Sequence, residues 1–265
     1  MPLFDYDQAL LQQLRDAPFD RQGAVGDPPA SWAEEMGLDV EYDLPDESLT
    51  RSRAREICYS EEHDILYGYL CAMAWGAQGR GPAGARPVKA AWNQRQAIKE
   101  RIDQILEGRL SRADAYDHFS GASQIDGLGP AYFTKLLYFF CPAEEPNCYI
   151  MDQWTTKPVI LLTGKNIIRH TGHGPTSLNE GSNYELFCRV IDDLSEILND
   201  ETPEFTEERL FSVGSIRRGP RGVWRQVVVD QWKNRRRLPR YNRSEVESLL
   251  RKGVEGDGGR PHIHE

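Results

Sequence analysis

The sequence predicts an all-α fold. Three observations carry that prediction: apolar residues recur at helical spacing along most of the chain, strand signals are scarce, and no internal repeat divides it. At 265 residues the chain can bury one large core or two small ones. Residues 1–57 are acidic and punctuated by Gly, Pro and Asp, which reads as an irregular N-terminal arm with short helices. Residues 58–252 read as the main helical domain, with room for two lobes around a cleft, and 253–265 as a disordered tail.

The elements follow in order. Residues 60–75 carry Ile65, Leu66, Tyr69, Leu70 and Met73 at helical spacing, and Gly76 ends that helix. A Gly/Arg/Pro loop runs from Gly76 to Pro87. Residues 88–107 predict an amphipathic helix with Ala91, Ile98, Ile102, Ile105 and Leu106 on one side, and 111–120 another with Ser111 as N-cap. Residues 130–140 and 153–163 predict short, strongly apolar helices. A Gly/Asn/His-rich loop at 164–182 separates them from an amphipathic helix over 183–199, and shorter helices are expected at 204–212, 222–233 and 244–252.

Composition narrows the function class. No run approaches eighteen apolar residues, so no membrane span is expected. The start, Met1 to Asp7, lacks the basic-then-apolar order of a signal peptide, and a cytoplasmic location is the default expectation. The five cysteines, Cys58, Cys71, Cys141, Cys148 and Cys188, contain no CxxC and read as buried reduced thiols. No metal or cofactor is expected; His170 and His173 are spaced H-x2-H, but on a loop with no further ligand nearby. The net charge of −9 argues against a simple polyanion binder, but its distribution argues back. Residues 209–252 hold thirteen Lys/Arg and three Asp/Glu, a net of +10, so the remainder carries −19. That asymmetry fits one basic face on an acidic body, or a solvated basic helix with no partner.

Chemistry concentrates in residues 125–158. Residues 125–130 read IDGLGP: two glycines around an apolar residue, then a helix start. Gly127 and Gly129 allow positive φ and close backbone approach, Leu128 pins the turn into the core, and Pro130 suits the first helical turn. The free N–H groups of that turn suit a DNA phosphate, with the helix dipole assisting. An ordinary tight helix–helix turn explains GLG equally well. The helix AYFTKLLYFF follows and ends at Cys141-Pro142; then CYIMDQWTTKP places Asp152 after an apolar stretch, at the start of the next helix.

This arrangement resembles the helix-hairpin-helix DNA glycosylase superfamily, in which hairpin, helix and loop lead to a pattern of apolar residue, Asp, four residues and a basic residue. The resemblance implies that Asp152 is the catalytic carboxylate, and Lys157 stands at the basic position. Trp154 stands where the family often has His, and the hairpin begins Ile-Asp rather than Leu-Pro. The stretches MAWGAQGRGP from Met73 and GLGPAYFTKLLYFF from Gly127 look like prokaryotic proteins with an 8-oxoguanine-glycosylase-like fold, some associated with defence against phages carrying modified bases. That likeness covers roughly residues 60–160.

A carboxylate beside the scissile bond stabilises the oxocarbenium charge that N-glycosidic cleavage builds on the sugar. Asp152 also suits the N-cap of helix 153–163, and the two roles are compatible. Superfamily members that cut the strand carry a lysine two residues after the second hairpin glycine; here that residue is Ala131, which favours a monofunctional enzyme attacking with water. Lys135 lies one turn further on the same face, so a desolvated amine there is the competing nucleophile; an exposed lysine or phosphate contact is the plain alternative. The expected DNA contacts are Gly127, Gly129, Ala131, Lys157, Arg80, Arg217, Arg218, Arg235, Arg236 and Arg237, with Arg86 near the Gly-rich loop. Trp224 and Trp232, interleaved with the basic residues, read as core. The partner implied is DNA. The function expected is flipping out and excising a modified base, with a hypermodified phage base such as glucosylated hydroxymethylcytosine ahead of 8-oxoguanine. A non-catalytic hairpin DNA-binding protein, or a structural protein, is the alternative of another class.

Overall fold

The computed structural model describes residues 2–19, 21–76, 84–108, 110–142, 147–211, 222–235 and 241–257, the last six of these without side chains. Thirteen α-helices and one two-stranded ribbon are formed among the described residues, so the all-α expectation is met. The helices predicted over 130–140 and 153–163 form at those residues: α8 is Pro130–Phe140 and α9 is Gln153–Thr163.

Before them, α1 (Gln8–Asp16), α2 (Pro29–Glu35) and α3 (Arg51–Tyr59) lie in the stretch read as an arm. Leu10, Leu11, Leu14 and Trp32 enter the same hydrophobic cluster as the later helices. Polar contacts also tie this stretch down, among them the Asp7 N–H donating to Leu162 O at 2.8 Å and the Tyr6 hydroxyl donating to Asp193 at 2.6 Å. The α4 helix (Ile65–Trp75) is almost wholly buried and packs against α3 and α8.

The single helix predicted over 88–107 is two: α5 (Ala85–Trp92) and α6 (Arg95–Leu106). The chain breaks at Asn93–Gln94. The break lets the Trp92 Nε1–H reach Asp39 O (3.3 Å) and lets the Gln94 amide bridge Ala90 O and Asp126 O (2.9 and 3.5 Å), joining α5 to the hairpin. Next come α7 (Arg112–Asp117), capped by Ser111, and a short 3-10 turn at Gly121–Ser123. In the loop read as 164–182, β1 (His170–Thr171) pairs antiparallel with β2 (Gly174–Pro175). The long amphipathic α10 (Gly181–Leu198) packs on α7 and on α11 (Pro203–Phe211), α12 (Val223–Asn234) covers α9, and α13 (Arg243–Asp257) runs past Gly253.

The hairpin separates its two glycines. Gly127 has φ +83°, and a Cβ there would fall on the carbonyl of Pro87 in the first turn of α5. Gly129 is different from the expectation: φ is −77°, and a Cβ would meet nothing within 4 Å. Gly129 serves as the N-cap of α8, where its extended backbone is open to other residues. Leu128 is buried and Pro130 opens the helix, as predicted. Gly127→Ala is therefore expected to destabilise by about 2 kcal/mol or more, from the left-handed strain plus the Pro87 clash. Gly129→Ala should cost about 1 kcal/mol or less. Urea denaturation of the two variants checks this; equal losses would contradict the assignment.

Candidate active site

The site begins at the first turn of α8. Thr134 and Lys135 are adjacent on that helix and both are buried. The Thr134 hydroxyl donates to Pro130 O (2.7 Å) and accepts the Met151 N–H (3.0 Å). The extended segment 148–152 is thereby clipped to α8. Tyr184 on α10 holds the same segment from the other side: its hydroxyl accepts the Tyr149 N–H (3.1 Å) and donates to Tyr149 O (2.8 Å). Thr155 closes the last link, accepting the Asp152 N–H at 3.0 Å and donating to Ile150 O at 2.7 Å.

Asp152 stands at the end of this segment as the N-cap of α9. Its Oδ1 accepts the N–H groups of Trp154 (2.6 Å) and Thr155 (3.1 Å), completing a capping box with Thr155. Among the described residues Oδ2 takes no hydrogen bond, so one oxygen holds the helix and the other is uncommitted. The capping role read from the sequence is present, and it does not consume the carboxylate.

Lys135 is 7% exposed. Its side chain turns back along α8, and Nζ donates to the carbonyl of Ala131 at 2.5 Å, 4.9 Å from the Tyr132 ring centroid. The shared face of Ala131 and Lys135 thus brings the amine back to residue 131. Gly76, at the end of α4, makes room: a Cβ there would lie 2.6 Å from Lys135 Cδ. Burial lowers the Lys135 pKa; the charges of Asp152 and Glu207 oppose the shift, and Arg51 adds to it. The exposed-lysine reading does not hold.

Glu207 and Arg51 escaped the sequence reading altogether. Glu207, on α11, is fully buried, and its Oε2 pairs with Arg51 Nη1 at the start of α3. Arg51 lies over the rings of Trp75 (5.4 Å) and Tyr138 (4.8 Å), the latter one turn beyond Lys135 on α8. Neither residue belongs to a motif, and the pair joins positions 156 apart in the chain. The faint signal was an acidic residue on the apolar side of a short helix.

Lys157 is buried on the α12 side of α9. Its Nζ accepts company from two rings, Trp154 (5.1 Å) and Trp232 (5.6 Å), and donates to Gln153 Oε1 at 3.1 Å. The Arg235 guanidinium lies 3.0 Å from the Trp232 centroid, and that of Arg225 lies 4.2 Å from the Trp154 centroid. His170 packs edge-on to Trp232, and its pKa is pushed down to about 4 by burial first and by Lys157 second. Trp224 is core, with Nε1–H donating to Leu210 O, while Trp232 is half-buried. Arg86 is exposed on α5, next to the Pro87 that packs on the hairpin. Arg80, Arg217, Arg218, Arg236 and Arg237 lie outside the described residues. All five cysteines are buried, and among the described residues no group of three His, Cys, Asp or Glu is placed to hold a metal. No helix among them is long and apolar enough to cross a membrane.

The fold and its hairpin, followed by a carboxylate at a helix start and a desolvated amine one helix away, define the architecture of a helix-hairpin-helix DNA glycosylase. A family described as "Putative 8-oxoguanine DNA glycosylase OGG-like protein" matches residues 21–211, and the chain belongs to that family. Membership makes DNA its substrate and base excision its activity class. No curated protein and no solved structure matches the chain.

The two roles of Asp152 can be separated. Asparagine caps helices as well as aspartate, so Asp152→Asn should change stability by less than about 1 kcal/mol. It should still lose base release by at least about a hundredfold, because an amide cannot offset developing positive charge. Thermal denaturation and released base, measured on the same preparation, check both. Activity near wild type would remove Asp152 from the chemistry.

Proposed function

We propose that the protein excises a modified base from DNA, with Asp152 as the stabilising carboxylate and Lys135 as the attacking amine. The observation that carries this reading is the position of Lys135, a desolvated amine folded back to Ala131 within electrostatic reach of Asp152. Ala131 favoured water as the attacking group; the placement of Lys135 supports its amine instead. The flipped nucleotide presents C1′ to Nζ. The C1′–N bond breaks, a C1′–Nζ bond forms, and the base leaves with a proton. Loss of the second amine proton with opening of the sugar ring gives a Schiff base. The uncommitted oxygen of Asp152 faces the positive charge that develops on the sugar.

The attack needs a neutral amine. A pKa lowered by burial leaves more of the amine neutral near pH 7 than an exposed lysine would have. Single-turnover base release should therefore rise with pH through that lowered pKa and level off above it.

The substrate we propose is a hypermodified phage base such as glucosylated hydroxymethylcytosine, in antiviral defence. The support is the likeness of residues 60–160 to proteins associated with that role. 8-Oxoguanine, the base named in the family's description, is the second reading. Duplexes carrying each base, an undamaged control and borohydride decide both questions together. The expected result is release of one modified base and a trapped protein–DNA adduct that is lost in Lys135→Ala. Full base release with no adduct would restore water as the nucleophile and make the enzyme monofunctional. DNA binding with no release from any duplex would leave a non-catalytic hairpin protein.

A further inference from the structure

Among the described residues one buried carboxylate takes no part in the proposed excision chemistry. Glu207 is fully buried on α11, and only one of its oxygens is engaged. Oε2 pairs with Arg51, whereas Oε1 has no hydrogen-bond partner among the described residues. A half-satisfied carboxylate in the core is costly, and structure alone does not require it. Its anchor is shared with the site. Arg51 stacks on Trp75, the neighbour of the Gly76 that admits the Lys135 side chain, and on Tyr138, one turn from Lys135. Helices α3, α4, α8 and α11 thus converge on one cluster of buried charge: Arg51, Lys135 and Glu207, with Asp152 facing them from α9.

We propose that Glu207, anchored by Arg51, is a positioning residue for Lys135, supplying the second negative charge that balances the two buried cations and sets the protonation of the amine. This rests on the reading of Lys135 as a functional amine, but its test does not. The charges facing Lys135 are Asp152 from α9, Glu207 from α11 and Arg51 from α3. The two carboxylates favour the ammonium form, and Arg51 and burial oppose it. Removing only the Glu207 charge leaves Arg51 unopposed, so both changes push the amine toward the neutral form.

The experiment is a titration of the free protein carrying ¹³C-lysine, following the Lys135 Cε resonance assigned by its loss in Lys135→Arg. In Glu207→Gln the midpoint should fall by about one pH unit or more, a tenfold change in proton affinity. Glu207→Asp should restore most of it. If Glu207→Gln leaves Arg51 unpaired and the protein does not fold, the double variant Arg51→Gln/Glu207→Gln removes both charges and preserves the readout. There the opposing effects cancel, and the midpoint should lie near that of the wild type. Arg51→Gln alone should raise it. A midpoint unmoved by Glu207→Gln, or by Arg51→Gln where the former does not fold, would reduce the pair to a structural ion pair and overturn the proposal. Because no DNA is present, that outcome is separate from the borohydride result. A missing adduct with a shifted midpoint would refute the amine as nucleophile while leaving the role of Glu207 intact.

Discussion

Everything at the site hangs on a buried extended segment that has no strand beside it among the described residues. Residues 148–151 are buried, and buried backbone N–H and C=O groups need partners. A β-ladder would ordinarily supply them. Here side chains do: Tyr184 takes both backbone groups of Tyr149, Thr134 takes the Met151 N–H, and Thr155 takes the Ile150 carbonyl and the Asp152 N–H. Further out, Tyr149 and Arg112 both bond to Asp192 on α10 (2.5 and 2.7 Å), which fixes the segment's outer face. The consequence for chemistry is geometric. Thr134 precedes Lys135 on α8, so the contact that places Asp152 runs through the helix that carries the amine. The carboxylate and the amine cannot drift apart without breaking a buried hydrogen bond.

The same enclosure governs the electrostatics. Arg51, Lys135 and Glu207 gather where water is scarce, and each would be expensive alone; the partly exposed Asp152 faces them. As a set of four they sum to zero, which makes the burial tolerable without making it stabilising. Replacement by well-packed apolar residues would serve stability at least as well. What apolar residues cannot do is hold a buried amine between opposing influences. Burial favours the neutral form of Lys135, and the two carboxylates favour its ammonium form. The lowered but opposed pKa is the product of both, and it depends on α3 and α11, two helices far from the hairpin in sequence.

That distance explains what the sequence made legible. The hairpin, α8 and α9 follow from local rules: glycines around Leu128, proline at a helix start, apolar spacing and a capping aspartate. Their bounds came out as predicted. The cap role of Asp152 and the shared face of Lys135 and Ala131 were legible for the same reason, since both residues sit within twenty-five residues of the hairpin. Gly129 was misjudged because GLG does not say which glycine takes the positive φ; the Pro87 carbonyl, from a separate helix, decides it. The break at Asn93–Gln94 was hidden because both halves keep apolar residues on the buried side. Thr134 looked like an interruption of an apolar helix, and its value as a clip depends on a segment seventeen residues away. Arg51 and Glu207 are legible only in three dimensions.

The basic C-terminal region shows how charge read from composition changes meaning once packed. Arginines there invited two readings, a solvated basic helix or a phosphate-gripping face. The Arg225 and Arg235 guanidinium groups instead lie over the rings of Trp154 and Trp232, and the Lys157 ammonium lies near both. A guanidinium stacked on an indole still presents its N–H edge, so stacking and phosphate contact are compatible for Arg in a way they are not for Lys. The stack also joins α12 to α9, the helix that Asp152 caps. At the edge of this layer burial, and after it the charge of the neighbouring Lys157, push the His170 pKa down to about 4. The charge counted in this region from composition is therefore partly spent in packing α12 against α9.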